Sequence, residues 1–137
     1  MPEASSRKLS EIVPVLVACL VCNVAAADPG TGKKNLIGIF DQITAFNFPS
    51  ERPLSVYVKF TDALGNYDLK IRYVEESSAT VLAEAKGRML VHNRRASIDA
   101  CIPFPALPIP KAGRYLFEIY TNDVYLGSTF VEVAQKT

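Results

Sequence analysis

Four clusters in this 137-residue chain have the residue types and spacing to do chemistry. The first is Pro29-Gly30-Thr31-Gly32-Lys33, which has the look of an ATPase phosphate loop. That loop needs an earlier glycine, where Ala27 stands, and a Ser or Thr after the lysine to hold magnesium, where Lys34 stands. It also needs a helix whose N-terminal amides face the phosphates. The residues just beyond it, Leu36-Ile37-Gly38-Ile39-Phe40, are strand-like. A glycine-rich hairpin turn is the expected structure.

The second cluster is Cys19-Leu20-Val21-Cys22, with redox or zinc spacing. Redox work needs the first cysteine at a helix N-terminus, where its pKa falls. On a strand, positions three apart point to opposite faces and cannot easily share a metal or a disulfide. The expectation is packing cysteines. The third is His92, the only histidine, which any zinc site or Ser–His–Asp triad would have to use. Its neighbours are Val91, Asn93, Arg94 and Arg95, and a solvated surface histidine is expected. The fourth is the basic patch of Arg88, His92, Arg94 and Arg95, suited to an anion or an acidic partner surface. With Tyr57 and Tyr120 on outer sheet faces it makes the candidate interaction surface. Tyr57 is also placed to stack with Arg72 as a cation–π contact. No catalytic residue, cofactor site or metal site is assigned.

The elements that must position these residues are strands. From Val13 to Val133 the chain reads as short apolar runs of period two, cut by turn residues. Residues 1–10 are expected to be a flexible tail, and 11–137 a single domain. Strands are expected over 13–24, over Leu36–Phe46 with a break near Asp41-Gln42, and over 81–85 and 96–104. Leu54, Val56, Val58 and Phe60 alternate with polar residues, as do Tyr67, Leu69, Ile71 and Tyr73. These two runs are expected to pair as a hairpin, Phe60 beside Leu69 and Val58 beside Ile71, with both apolar sets facing inward. Residues 87–95 read as irregular. The segment Pro103–Pro110 carries four prolines and belongs on an edge or in a connector. Gly113–Thr121 and Val124–Val133 form a last hairpin, turning at Asn122-Asp123. The predicted fold is all-β: a single antiparallel β-sandwich of about 7–9 strands, immunoglobulin-like in layout.

Charge excludes some classes. Fifteen basic and 14 acidic residues leave a net charge of +1, with no basic excess to point to nucleic acid. Three cysteines are an odd, sparse set that leans toward a reducing compartment, so the expected location is cytoplasmic. The alternative is a secreted or periplasmic protein. Arg7 and Lys8 precede the apolar run Ile12–Val21, and Ala25-Ala26-Ala27 resembles a cleavage site. Leu16-Val17-Ala18-Cys19 also mimics a lipoprotein cleavage box. Glu11 and Pro14 interrupt that pattern, and a strand is favoured. The run is too short to span a membrane, which takes about 20 apolar residues.

Leu36-Ile37-Gly38-Ile39-Phe40, Leu54-Ser55-Val56-Tyr57-Val58, Gly113-Arg114-Tyr115 and Tyr125-Leu126-Gly127-Ser128 resemble a set of small bacterial proteins. That family is a domain of unknown function with a predicted β-sandwich, and the resemblance spans roughly Val13 to Val133. It implies that residues 13–23 are part of the domain. It implies no activity, ligand or catalytic residue. Its members tend to carry Cys-Asp where this chain has Cys22-Asn23. The functional expectation is a non-catalytic protein-interaction or structural module whose partner is another protein. The alternative is a small-molecule or glycan binder using the Phe48–Pro53 loop and the proline-rich segment as walls. A hydrolase ranks last, for want of a nucleophile–base pair.

Overall fold

A computed structural model describes residues 8–137. Nine strands succeed one another with no helix among the described residues. They are β1 Val15–Ala27, β2 Lys34–Ile39, β3 Gln42–Ala45, β4 Ser50–Thr61, β5 Gly65–Glu75, β6 Thr80–Val91, β7 Ile98–Ile109, β8 Gly113–Thr121 and β9 Val124–Gln135. One sheet runs β2-β1-β4-β7, the other β3-β9-β8-β5-β6. The expected break at Asp41 is real, and it sends β2 and β3 to different sheets. One pair departs from the antiparallel expectation: β3 lies parallel to β9, from Gln42 beside Glu132 to Ala45 beside Gln135. The crossing between sheets brings β3 to β9 in the same direction, which no local pattern encodes.

The period-two pattern decides which residues enter the core. Leu54, Val56, Val58 and Phe60 are buried from β4, and Tyr67, Leu69, Ile71 and Tyr73 from β5. Tyr115, Phe117 and Ile119 join them from β8. Each such side chain stabilises the fold by roughly 1.5–3 kcal/mol. Rings bridge the sheets: Phe104 of β7 lies 5.8 Å from Phe117, which lies 5.1 Å from Tyr73. The Tyr73 hydroxyl donates across the core to the Pro108 carbonyl at 3.0 Å.

The expected β4–β5 hairpin does not form. β4 pairs with β1 and β7, and β5 with β6 and β8, so the two face each other through the core. Both strands keep the expected inward parity without the expected pairing. The chain between them arches from one sheet to the other through Asp62, at a φ of 56°. That separation also corrects the Tyr57–Arg72 stack: Arg72 lies instead over the Tyr120 ring, at 5.8 Å.

Three boundaries also differ. Residues 87–91 are the end of β6 rather than irregular chain, and β4 begins inside the expected Phe48–Pro53 loop. The proline-rich segment is strand through Ile109, on an edge as expected, with a register shift at Pro105-Ala106. β1 is a strand, covered on both sides only around Val21 and Cys22, while Val15, Val17 and Val24 are exposed. The last hairpin turns where expected, with Asn122 and Asp123 both at positive φ.

Of the N-terminal tail, residues 1–7, with Arg7 of the leader-like pattern, lie outside the described residues. Leu9 bridges to Asn66, and the Ser10 amide donates to the Asn66 carbonyl at 2.9 Å.

Candidate functional site

The most unusual local structure is the β1–β2 hairpin. Its turn is tied by Asp28, whose carboxylate accepts from the Thr31 amide at 3.1 Å and the Thr31 hydroxyl at 2.6 Å. The Gly32 amide donates to the Asp28 carbonyl at 2.8 Å. The phosphate-loop look-alike is therefore a self-bonded turn entering a strand, with no helix behind it.

β1 pairs with β4 only as far as Cys22 beside Ser55. Beyond that point the hairpin leaves the sheet and doubles back over its outer face. Lys34, paired with Ala27 at the far end of the hairpin, reaches Asp99 at the start of β7, Nζ to Oδ1 at 2.8 Å. Two features permit the bend. Gly38 sits at a φ of 69°, and a Cβ there would run into the Asn23 side chain. The Asn23 Oδ1 in turn accepts from Arg52 Nη2 at 2.7 Å, pinning the bend to β4. Cys22 and Ser55 stand on the outer side of their sheet yet are 0% and 8% exposed, because the hairpin covers them.

Beneath and beside this flap lies a polar cluster. The Tyr57 hydroxyl donates to Asp99 Oδ2 at 2.8 Å, so one carboxylate receives both Tyr57 and Lys34. Burial pushes the Asp99 carboxyl up, but the hydrogen bonds from Lys34 and Tyr57 and the charges of Lys34 and Lys59 outweigh it and hold it low. Burial, then the bond to Asp99 and its charge, push Tyr57 up to about 12. Burial also raises the Cys101 thiol, which the Lys34 ammonium opposes and Asp99 reinforces. Cys22 is raised by burial and by Cys101. Cys19, on the core side of β1, is raised by burial to about 12. At neutral pH all three cysteines are protonated thiols, and none is an activated nucleophile. As expected, Cys19 and Cys22 take opposite faces.

The predicted surface residues do not converge. His92, Arg94 and Arg95 are exposed on the β6–β7 connection, with Arg94 3.6 Å from Asp62. Arg88 precedes them on β6, at an open cleft it shares with Asp68, Lys70, Lys86 and Asp123. Tyr57 is on the four-stranded sheet, and Tyr120 on the outer face of the five-stranded one, edge-on to Tyr125 at 5.6 Å. Lys34, Asp99 and Ser55 were missed. No sequence spacing links Lys34 to Asp99, because the contact depends on the hairpin's fold-back.

A second open cleft, of about 540 Å³, lies where β3, the start of β4 and the end of β7 meet. Phe46, Asn47, Pro49, Arg52, Pro53 and Ile109 line it. Part of the expected Phe48–Pro53 loop lines it, with residues 43–47 and, from the proline-rich strand, Ile109 alone. Among the described residues, no three His, Cys, Asp or Glu side chains gather to hold a metal ion. None of the described segments is a helix long and apolar enough to cross a membrane.

The fold is that of an all-β protein of two packed sheets, of four and five strands. The chain belongs to the family of unknown function DUF6941, whose pattern it matches over residues 17–134. No curated protein matches it. The match begins within β1, so the apolar N-terminal run is part of the family domain from Val17 onward.

Proposed function

We propose that this protein is a non-catalytic interaction module of immunoglobulin-like general layout, and that it presents the β1–β2 hairpin to another protein. The observation that carries the reading is the hairpin's outward side. Val24, Ile37 and Ile39 are 52%, 63% and 57% exposed, on a flap whose other side is committed to Asp99. Large aliphatic side chains gathered on one exposed, internally braced hairpin are characteristic of a partner surface. Lys33, exposed at the tip, favours a partner whose apolar patch is rimmed by carboxylates. The layout is supported by Tyr115, whose hydroxyl donates back to the Lys111 carbonyl at 2.6 Å, as a corner tyrosine does. The test compares wild type with Ile37→Glu as bait in lysate of the source organism. A protein retained by wild type and lost with Ile37→Glu, at equal melting temperature, supports the reading. Identical capture by both baits refutes it.

A second reading, a glycan or small-molecule binder, is favoured by the 540 Å³ cleft, with Phe46 64% exposed beside the Asn47 amide and Arg52. An exposed ring beside polar groups suits stacking against a sugar. Binding on a glycan array that disappears in Phe46→Ala would select this reading over the first.

A further inference from the structure

We propose that two copies of this chain associate through the free edge of β6, joining their five-stranded sheets into one continuous sheet across a two-fold axis. The surface lies on the other sheet from the hairpin, and the proposal is independent of the reading above.

The sheets leave few edges open, and most are blunted. β7 carries Pro103, Pro105 and Pro108. β2 is six residues long and interrupted by Gly38 at positive φ, and β3 has four residues. Short length, bulges and prolines are the usual devices against edge pairing. β6 is long and free of proline, and its one bulge, at Leu82, lies toward its start, so Ala83–Gly87 can pair without interruption. It runs 12 residues without proline and pairs on one side only, with β5. Most of its residues are exposed.

The charges on β6 are self-complementary in one register. Glu84, Lys86 and Arg88 share the outer face, opposite Arg72, Lys70 and Asp68 of β5. In an antiparallel pair of β6 strands, residues opposite each other share a face. A two-fold axis at Ala85 sets Glu84 against Lys86 of the second copy, and Lys86 against its Glu84. An axis at Lys86 sets lysine against lysine between two Glu84–Arg88 pairs, at Glu84 glutamate against glutamate, and at Gly87 Lys86 against Arg88. Centring on Ala85 therefore forms two opposite-charge pairs and no like-charge pair. Such directly opposed pairs select register in sheets. Lys86 is 74% exposed and pairs with its own Glu84 at 3.6 Å, an ion pair that the two-fold contact would exchange for the same pair between copies. A two-fold contact of this kind closes on itself and does not propagate into fibres.

The test uses the full chain in sedimentation velocity from about 1 μM to about 500 μM, the range of weak specific dimers. Wild type should dimerise. Glu84→Lys and Lys86→Glu should each associate at least about tenfold more weakly, because each puts like charges across the axis twice. An equimolar mixture of the two variants should recover a dimer, of mixed composition by native mass spectrometry. Hydrogen exchange of wild type needs no variant: β6 amides should gain protection as concentration rises, and β2 amides should not. A wild type that stays monomeric throughout, a dimer indifferent to both substitutions, or a mixture that does not recover would overturn the proposal.

Discussion

Tyr67 gives the sharpest test of how the N-terminal segment is held. Its ring is fully buried. Its hydroxyl donates to the Ile12 carbonyl at 2.8 Å and accepts from the Leu64 amide at 3.0 Å. Ser10 Oγ lies 3.1 Å away, donating to the Leu64 carbonyl at 2.6 Å and accepting from the Ile12 amide at 3.1 Å. Tyr67→Phe keeps the ring and removes the hub, leaving one amide and one carbonyl without that partner. Stranding buried backbone groups costs about 1–3 kcal/mol. At an unfolding entropy of roughly 2.1 cal/mol/K per residue, that lowers the melting temperature by about 3–10 °C. Calorimetry of Tyr67→Phe, with the exposed Tyr125→Phe as control, measures it. Because Ser10 and Tyr67 share partners, Ser10→Ala and the double variant should be non-additive by at least about 0.5 kcal/mol. A Tyr67→Phe protein melting within about 1 °C of wild type would refute the reasoning, as would strict additivity.

Gly38→Ala should destabilise by about 1–3 kcal/mol in urea titration, since an L-residue is strained at that φ and meets Asn23, and Asn23→Ala should restore part of the loss. In thiol labelling of the native protein, Cys101 should react first, Cys19 and Cys22 only after denaturant, and Asp99→Asn should speed Cys22 by loosening the flap. Asp99 and Glu75 are both held low: Asp99 by Lys34 and Tyr57 against its burial, Glu75 chiefly by the Ser78 hydroxyl. Their stabilisation is thus present above the ordinary carboxylate range, about pH 4, and lost as pH falls through their lower folded values. Asp99→Asn should flatten that acid limb in melting-temperature scans, and an unchanged slope would count against the Lys34–Asp99 clasp. Asn23→Asp, which places a carboxylate beside Arg52, should raise stability by at most about 1 kcal/mol at low salt and by less in 1 M salt.

What the sequence made legible is what two-residue periodicity controls. The burial of Leu54, Val56, Val58 and Phe60, and of Tyr67 through Tyr73, follows from alternation alone. The turns at Asp28 and at Asn122-Asp123 follow from residues that tolerate tight or left-handed backbone. Pairing is different, because alternation says which side a residue faces and not which strand lies beside it. A hairpin and an arch between sheets need the same inward residues. The decision at Asp62–Leu64 rests with β1 and β7, which occupy both edges of β4 and leave no room for β5. The parallel β3–β9 pair is likewise a product of the whole topology.

The same distinction governs the candidate site. Tyr57 was legible as an outer-face tyrosine, but its partner Asp99 stands opposite Lys59 on a strand 42 residues away. Lys34 reaches that carboxylate only because the hairpin reverses over its own sheet. Gly38 read as part of a structural motif, and it is more than that. It is where the chain bends, and Asn23 packs against it. Bend, clasp and exposed aliphatic side are thus one construction. Asn23 fixes the bend through Arg52, and Lys34 fixes the tip through Asp99. With both ends tied down, Val24 and Ile37 have no route to burial within the monomer. Their exposure is the price of the fold-back, and it is this apolar area that the proposed partner would remove from water.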